Sequence, residues 1–262
     1  MRIIRFEDPS GNIHYGSEAA VGEDAEILGG ELLSGLNPTG DKARVAKLLY
    51  PYSPTAIHGI GANFKAIFED AGKPLPEYPV VFFKYHNALQ HPSEPIILPR
   101  KMIRAEQVKF EGELGIVVGK TAKNVPVEEA MDYVFGYTIA NDVSASDWQR
   151  ERVGNQWCKG KGFDTFLPFG PVIVTKDEIT EPGGLRIVTK VDGKVEQDDV
   201  VANMCFDVAQ IIAFLSAGLT VPAGTLIIPG TPTGARFMVS GETVEITIEP
   251  IGTLTNQAIE EV

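Results

Sequence analysis

The chain has 262 residues, 44% of them hydrophobic and 22% charged, which are the proportions of an ordinary soluble globular protein. Its 35 acidic side chains exceed its 23 basic ones, and the net charge of −12 argues against nucleic acid and anionic membranes as partners. Two cysteines are too few for a disulfide framework, no apolar run reaches the ~20 residues of a membrane helix, and no targeting pattern is visible, so we expect a soluble cytoplasmic protein.

Residues 1–50 are predicted to form a small N-terminal α/β domain. The strand patterns RIIRF and IHYGS flank the turn residues EDPSGN, which is typical of a hairpin. The segment DKARVAKLLY indicates a short helix that leads to the proline-bounded PYSP. We place the domain boundary here.

Residues 51–262 are predicted to form a second, strand-rich domain. The segment NFKAIFEDAG indicates a helical turn or lid, and PVEEAMDYV and FDVAQIIAFLSAG favour helices. The pair Asp192-Gly193 favours a type I′ hairpin turn. Together with the many strands, these segments predict an α+β, β-rich fold. The strand-like segments, in chain order, are AIHGIG, PVVFFKY, PIILP, VKFEGELGIVVG, YVFGYTIANDV, GPVIV, LRIVTKV, GTLIIPG and TVEITIE.

Two glutamates interrupt the apolar pattern of VKFEGELGIVVG. On a strand, Glu111 and Glu113 would point to the same face, where burial of unpaired like charges is costly. A divalent cation would remove this cost, and Asp142 at the end of YTIANDV could supply a third oxygen ligand. The spacing alone is equally compatible with two glutamates that face solvent from an edge strand.

Four segments in register identify a family resemblance: FEGELGIVVG, GYTIANDVSASDWQ, NQWCKGKGFDTFLPFGP and GTLIIPGTPTG. From about residue 56 to the C-terminus, the chain resembles the fumarylacetoacetate hydrolase superfamily, above all its acylpyruvase, oxaloacetate decarboxylase and oxaloacetate tautomerase branch. The resemblance implies a β-roll-like catalytic core, usually in a homodimer, that binds Mg²⁺ or Mn²⁺ through Glu111, Glu113 and Asp142.

The resemblance also implies roles for other polar residues. A 2-keto acid would chelate the ion through its carboxylate and keto oxygens, and Lys161 could stabilise the developing enolate or move a proton. Gln149 and Thr231 match positions that line the substrate pocket. Without the resemblance, these three residues could equally be a loop lysine, a helix cap and a turn hydroxyl. Further candidates for substrate binding are Asn63, Arg150, Asp164 and Arg236, of which Asp164 could instead fix a loop.

The segment that starts at Gly61 departs from the family pattern G-x-N-Y-x-x-H-x-x-E, whose histidine and glutamate act on water or move a proton. Ile67 stands at the histidine position and Asp70 at the glutamate position, and isoleucine cannot act as a base. His86 could replace the missing base, because an imidazole pKa of about 6.5 suits proton transfer, although a hydrogen-bonded loop histidine is the alternative.

A second departure concerns substrate recognition. Ser146 stands where the family usually has an arginine that binds a substrate carboxylate, and serine cannot replace that charged, bidentate contact. Arg150, four residues later, could compensate, and Arg236 in GTPTGARFM could bring another cation to the pocket rim.

These departures favour a metal-dependent enzyme that acts on a 2-keto or β-dicarbonyl acid through an enolate. Decarboxylation, tautomerisation and C–C bond chemistry, including a use in secondary metabolism, fit better than water-driven C–C cleavage. Two alternatives stay open. One is an acylpyruvase-type C–C hydrolase with a substitute base such as Asp70 or His86, and the other is a catalytically silent homologue that binds metal or ligand.

Overall fold

Main-chain hydrogen bonds join most of the strands of this chain into one large sheet. The computed structural model describes residues 1–101, 105–150 and 153–262. Within these ranges, every helix is too short or too polar to cross a bilayer.

The elements confirm the predicted α+β, strand-rich class. Three α-helices are present among the described residues: α1 (Lys65–Asp70), α2 (Trp157–Lys161) and α3 (Val208–Ser216). The strands in chain order are β1 (Arg2–Glu7), β2 (Ile13–Ser17), β3 (Asp24–Glu31), β4 (Gly35–Arg44), β5 (Lys47–Leu49), β6 (Ile57–Gly61), β7 (Val80–Phe83), β8 (Leu89–Gln90), β9 (Ile96–Leu98), β10 (Val108–Lys109), β11 (Gly112–Val118), β12 (Ala122–Lys123), β13 (Val134–Asn141), β14 (Ser144–Ala145), β15 (Leu167–Thr175), β16 (Arg186–Val191), β17 (Lys194–Val200), β18 (Thr220–Val221), β19 (Leu226–Ile228), β20 (Thr243–Ile248) and β21 (Gly252–Glu260).

The largest sheet has 12 strands, and its main path runs β4-β3-β2-β1-β15-β13-β11-β19-β6-β7. Strand β5 pairs with β1, and β8 pairs with β15. A second sheet has five strands in the order β17-β16-β20-β21-β9, and two further pairs are β10-β14 and β12-β18. The described residues also include these short 3₁₀ segments: His86–Ala88, Val127–Tyr133, Ser146–Gln149, Pro182–Gly184 and Val201–Asn203.

Strand β11 lies at the centre of the core. All seven of its residues are buried, because β13 and β19 flank it and the second sheet covers one of its faces. The close approach of the two sheets requires a glycine at the start of β11. A Cβ atom on Gly112 would lie 2.3 Å from the Oγ1 atom of Thr189 in β16, which no larger residue could accommodate without a shift.

The N-terminal strands extend the large sheet rather than forming a sheet of their own. Residues of β1 pair with β15, with Ile3 opposite Ile173, and apolar side chains from both parts share one core. Residues 1–50, all of them described, form five strands and no helix. The domain boundary at residue 50 stays a prediction.

The predicted helix in DKARVAKLLY is wrong, because this segment contains the end of β4 and all of β5. Strand β4 pairs with β3 and β5 pairs with β1, so partners distant in sequence override the local helical preference. The predicted Asp192-Gly193 turn is confirmed, since both residues have positive φ, at 49° and 80°, between the paired strands β16 and β17.

Helix α3 begins with a complete capping box. The Asp207 carboxylate accepts the Gln210 N–H at 2.9 Å, and the Gln210 side chain accepts the Asp207 N–H at 2.9 Å. The helix buries Val208, Ile211, Ile212 and Leu215, which follow the predicted helical spacing.

We expect Asp207→Ala to lower the free energy of unfolding by about 1 kcal/mol, because the first turn of α3 loses its side-chain acceptor. Urea unfolding of the purified protein at neutral pH measures this change. Asp41→Ala, which removes an exposed carboxylate from β4, is the matched control. Equal midpoints for the Asp207 variant and the unmodified protein would contradict a stabilising role for the cap.

Candidate active site

The pairing of β11 with β13 brings two acidic segments together. Gly112 lies opposite Asn141, so the residue before β11 and the residue after β13 are neighbours. The Asp142 N–H donates to the Glu111 carbonyl oxygen at 2.9 Å, and the Glu111 N–H donates to the Asn141 Oδ1 atom at 3.0 Å. These bonds fix the main chain on which two of the predicted ligands stand.

Glu111, Glu113 and Asp142 converge as the sequence predicted. One carboxylate oxygen of each lies within 4.8 Å of the others, and all three residues are buried. Glu113 also accepts the Gly230 N–H at 2.7 Å through its Oε2 atom, which ties the cluster to the loop after β19.

Lys161, at the end of α2, reaches into this cluster. Its Nζ atom donates to the Glu111 Oε2 atom and to the Ser144 hydroxyl, each at 2.8 Å, and also contacts the Asp142 carboxylate. The same Nζ atom lies 4.4 Å from the centre of the Phe82 ring. The structure therefore places Lys161 directly beside two of the three carboxylates.

Two further lysines at the cluster were not predicted as site residues. Lys84, immediately after β7, is fully buried and donates to the Asp142 Oδ1 atom at 2.8 Å and to the Val143 carbonyl oxygen at 3.1 Å. The Lys109 Nζ atom lies 2.6 Å from the Glu111 Oε1 atom. A lysine that directly follows the apolar PVVFF was the available signal for Lys84, since a buried ammonium requires an anionic partner.

Burial and the neighbouring charges shift the carboxylate pKa values in opposite directions. Burial raises the pKa of Glu113, and the nearby Asp142 and Glu111 raise it further. Burial also favours a higher pKa for Glu111, but Lys161 and Lys109 outweigh it and lower the pKa to about 2. The negative charge of Glu113 is therefore the least compensated in the cluster.

The pKa values of the two most buried lysines also shift in opposite directions. Burial lowers the pKa of Lys84 to about 8, although Asp142 opposes this shift. Burial also acts against the charged form of Lys161, but Asp142, Glu111 and Glu113 outweigh it and hold its pKa above the usual value.

The donor set fits a hard divalent cation. Three buried carboxylates offer oxygen ligands, which Mg²⁺ and Mn²⁺ prefer, and the charge of Glu113 gains a counter-ion when a cation binds. The structure thus provides a set of residues that could bind the metal ion predicted from the sequence.

Gln197, which was not predicted as a site residue, helps to hold Thr231 in place. The Thr231 hydroxyl donates to the Gly112 carbonyl oxygen at 2.9 Å and accepts from the Gln197 Nε2 atom at 2.7 Å. The Gln197 Oε1 atom accepts the Gly112 N–H at 3.1 Å. Gln197 is buried in β17 and fixes both Thr231 and Gly112 at the edge of the acidic cluster.

The acidic cluster opens into a cavity of about 190 Å³. Ile60, Ile67 and Trp157 supply its large apolar side chains. Ile67, which stands at the histidine position of the family pattern, therefore lies on the cavity wall. A Cβ atom on Gly61 would lie 2.4 Å from the Trp157 ring, so the glycine lets the indole lie against the main chain. The described lining is Ile60, Gly61, Ala62, Ile67, Lys109, Glu111, Glu113, Gln149, Trp157, Gly230 and Thr231.

Of the predicted substrate-binding residues, both arginines are engaged elsewhere. Arg150 donates to the Gln107 side chain, and Arg236 forms ion pairs with Glu196 at 3.1 Å and Glu242 at 2.9 Å. Neither lies on the described lining of the cavity, and their roles in substrate binding stay predictions.

Three other predicted residues also bond to groups outside the cavity. The Asn63 amide donates to the Phe206 and Pro229 carbonyl oxygens and accepts the Phe206 N–H. Asp164 accepts from Asn87 at 2.7 Å and lines a separate cavity of about 470 Å³. His86 is exposed, with its Nε2 atom 2.5 Å from the Pro54 carbonyl oxygen. Their catalytic or binding roles remain predictions.

Known proteins share this architecture and sequence. Residues 56–259 match the family model described as fumarylacetoacetate (FAA) hydrolase C-terminal. The mitochondrial oxaloacetate tautomerase fahd2 of Xenopus laevis is 38% identical over 220 residues, which cover 81% of this chain and 68% of the relative.

Crystal structures that match the whole chain include those of two isomerases. The 2-hydroxyhepta-2,4-diene-1,7-dioate isomerase from Mycobacterium marinum is 37% identical with a TM-score of 0.86, covering 100% of this chain and 99% of the isomerase. The 5-carboxymethyl-2-hydroxymuconate delta-isomerase from Mycobacterium smegmatis is 35% identical with a TM-score of 0.88, and 100% of each chain is covered. The chain therefore belongs to the fumarylacetoacetate hydrolase superfamily.

Proposed function

We propose that the protein is a divalent-metal-dependent enzyme that moves a proton next to the keto group of a 2-keto acid, as in keto–enol tautomerisation or double-bond isomerisation. The observation that carries this proposal is the convergence of three buried carboxylates and Lys161 beside a cavity whose wall includes Ile67. The tautomerase and the two isomerases to which the chain is similar catalyse reactions of this class, as their names state.

Glu111, Glu113 and Asp142 would hold the cation, Mg²⁺ or Mn²⁺, which supplies Lewis acidity toward the keto group of a bound substrate. The Lys161 ammonium would stabilise negative charge that develops on the keto oxygen and, as the charged form, could donate a proton from Nζ to the substrate. Thr231 and Gln149 lie on the cavity lining, where hydroxyl and amide groups orient a polar substrate.

The apolar wall favours proton transfer over hydrolysis. A C–C hydrolase has to activate water, and Ile67 occupies the position at which the family pattern places the histidine for that step. Asp70, the other substitute considered, lies exposed at the end of α1. Decarboxylation of a β-keto acid is the second candidate, because it uses the same stabilisation of an enolate and needs no activated water.

The proposal has three finer points. The family resemblance supports Mg²⁺ or Mn²⁺ as the cation and a homodimer as the active form. Ile67 and Ser146, which depart from the family pattern, support a use of the enzyme in a specialised biosynthetic pathway. A silent homologue that only binds metal or ligand remains the alternative of a different class.

Proton NMR of oxaloacetate in D₂O tests the proposed reaction. We expect the protein to accelerate the exchange of the C3 methylene protons, which lie next to the keto group, when Mg²⁺ is present. This effect should be lost in excess EDTA. Glu113→Gln and Lys161→Met should each lower the protein-dependent rate by about 10²-fold or more, because they remove a metal ligand and the cationic group beside it.

Glu31→Gln, which neutralises an exposed glutamate in β3, is the control and should retain the full rate. An undiminished rate in EDTA would contradict metal dependence. Clear Mg²⁺ binding without any acceleration would favour the silent homologue.

A second prediction concerns the wall of the cavity. Ile67→His places an imidazole where the structure has an aliphatic side chain, so hydrolysis of acetylpyruvate should rise by about 10-fold or more over the unmodified protein. Ile67→Leu is the size-matched control and should give no rise. Hydrolysis by the unmodified protein as fast as by Ile67→His would show that another group already activates water. The ultraviolet absorbance of acetylpyruvate measures the rate.

A further inference from the structure

The side chain of Gln197 crosses from the second sheet to the strand and the loop that carry the acidic cluster. Gln197 stands in β17, at the edge of the five-stranded sheet, and is 1% exposed. Its Nε2 atom donates to the Thr231 hydroxyl and to the Pro232 carbonyl oxygen, each at 2.7 Å. Its Oε1 atom accepts the Gly112 N–H at 3.1 Å. One buried side chain therefore joins β11 to the loop that follows β19.

These contacts fix the orientation of the Gln197 amide. If its oxygen and nitrogen atoms changed places, the oxygen would face the Pro232 carbonyl oxygen and the nitrogen would face the Gly112 N–H. Both contacts would be repulsive, because the first pairs two acceptors and the second pairs two donors. The amide is thus a directional link and not only a filler of space.

The main chain of Gly112 depends on this link. Strand β19 pairs with β11 farther along, at residues 116 and 117, and ends before it could cover the start of β11. At the start of β11, the Gly112 N–H donates to Gln197, and the Gly112 carbonyl oxygen accepts the Thr231 hydroxyl at 2.9 Å. Two side chains therefore take the place of a neighbouring strand, and both belong to the network that Gln197 holds together.

Two routes lead from Gln197 to Glu113. In the first, Gly112 directly precedes Glu113, so the hydrogen bond from Gly112 to Gln197 restrains the main chain of the glutamate. In the second, Gln197 holds the loop in which the Gly230 N–H donates to the Glu113 Oε2 atom at 2.7 Å. The main chain and the carboxylate of Glu113 are thus both held by segments that Gln197 ties together.

Glu113 depends on main-chain support more than the other two carboxylates of the cluster. The three lysines of the cluster contact Glu111 or Asp142. Among the described contacts, the carboxylate of Glu113 has one hydrogen bond, from the Gly230 N–H. A shift of the loop or of the Gly112 peptide would therefore move the Glu113 carboxylate without a lysine to restrain it.

We propose that Gln197 is a positioning residue that sets the geometry of Glu113 and thereby enables the cluster to bind Mg²⁺. This inference rests on the proposed function, because Glu113 has to be one of the residues that hold the cation. Mg²⁺ is small and demands a near-ideal octahedron of oxygen atoms at about 2.0–2.1 Å, whereas the larger Mn²⁺ tolerates more distortion. Loss of the Gln197 link should therefore weaken the binding of Mg²⁺ more than that of Mn²⁺.

Metal titration of the whole protein, without a keto acid, tests this inference. Electron paramagnetic resonance of free Mn²⁺ gives the Mn²⁺ dissociation constant, and competition against Mn²⁺ gives that of Mg²⁺. Gln197→Met keeps the length of the side chain but not its hydrogen bonds, and should raise the Mg²⁺ dissociation constant by about 10-fold or more. The Mn²⁺ dissociation constant should rise less, so that the ratio of the two constants changes by about 3-fold or more.

Two other variants separate positioning from a general loss of packing. Thr189 lies opposite Gln197 in the pairing of β16 with β17, and its buried hydroxyl has no hydrogen-bond partner among the described residues. Thr189→Val is therefore the matched control and should change both dissociation constants by less than about 2-fold. Thr231→Val removes one hydrogen bond of Gln197 and should shift the ratio in the same direction as Gln197→Met, which decides the matter if the latter fails to fold.

Two kinds of result would overturn the inference. If the unmodified protein binds both cations but Gln197→Met leaves their affinities unchanged, or weakens both equally, Gln197 does not position Glu113 and the proposed function stands. An unchanged ratio in Thr231→Val has the same meaning where Gln197→Met cannot be purified in a folded state. If the unmodified protein binds neither cation, the proposed function fails and this inference fails with it.

Discussion

The burial of three carboxylates in one place is the constraint on which the rest of this site depends. Glu111, Glu113 and Asp142 repel one another, and isolated buried charges of this kind are strongly unfavourable. The fold offsets the repulsion with three lysines from three different segments and with the Gly230 N–H. No lysine pairs with Glu113 among the described contacts, and burial together with the nearby Asp142 and Glu111 raises the pKa of Glu113. A divalent cation would complete the balance.

The sheet structure supplies the positions for these charges. The pairing of β11 with β13 sets Glu111 beside Asp142, and Gly112 allows the second sheet to approach closely enough for Gln197 to fix Thr231. The short helix α2 contributes Lys161 to the cluster and Trp157 to the cavity wall. The polar floor and the apolar wall of the cavity thus come from distant parts of the chain, and both are held by buried contacts. Such an arrangement suits the proton transfer that we propose.

Local patterns in the sequence predicted part of this site. The alternation of a strand was sufficient to place Glu111 and Glu113 on one side, and a motif shared with a known family added Asp142 and Lys161. Lys84 and Gln197 were not predicted as site residues, because each acquires its role only through a contact with a residue distant in sequence. Lys109 also was not predicted, although it contacts Glu111 only two residues away. Arg150 and Arg236, which we expected at the pocket, contact a glutamine and two glutamate side chains in the structure, and their roles in substrate binding stay predictions.

In the fold, too, local patterns were predicted correctly, whereas contacts between residues distant in sequence were not. The strand-rich class and the Asp192-Gly193 turn follow from short-range patterns of residues, and both are confirmed. The helix expected before residue 50 was wrong because β1 and β3 offer main-chain partners that a local reading cannot include. The attachment of the N-terminal strands to β15 is likewise a contact between residues more than 160 positions apart, as with Ile3 and Ile173.

Anomalous X-ray diffraction from crystals of the protein grown with Mn²⁺ tests the central claim most directly. The account predicts one strong peak within about 2.0–2.3 Å of an oxygen atom from each of Glu111, Glu113 and Asp142. A peak at another site, or none at these carboxylates while Lys109 and Lys161 keep both oxygens of Glu111, would contradict the account.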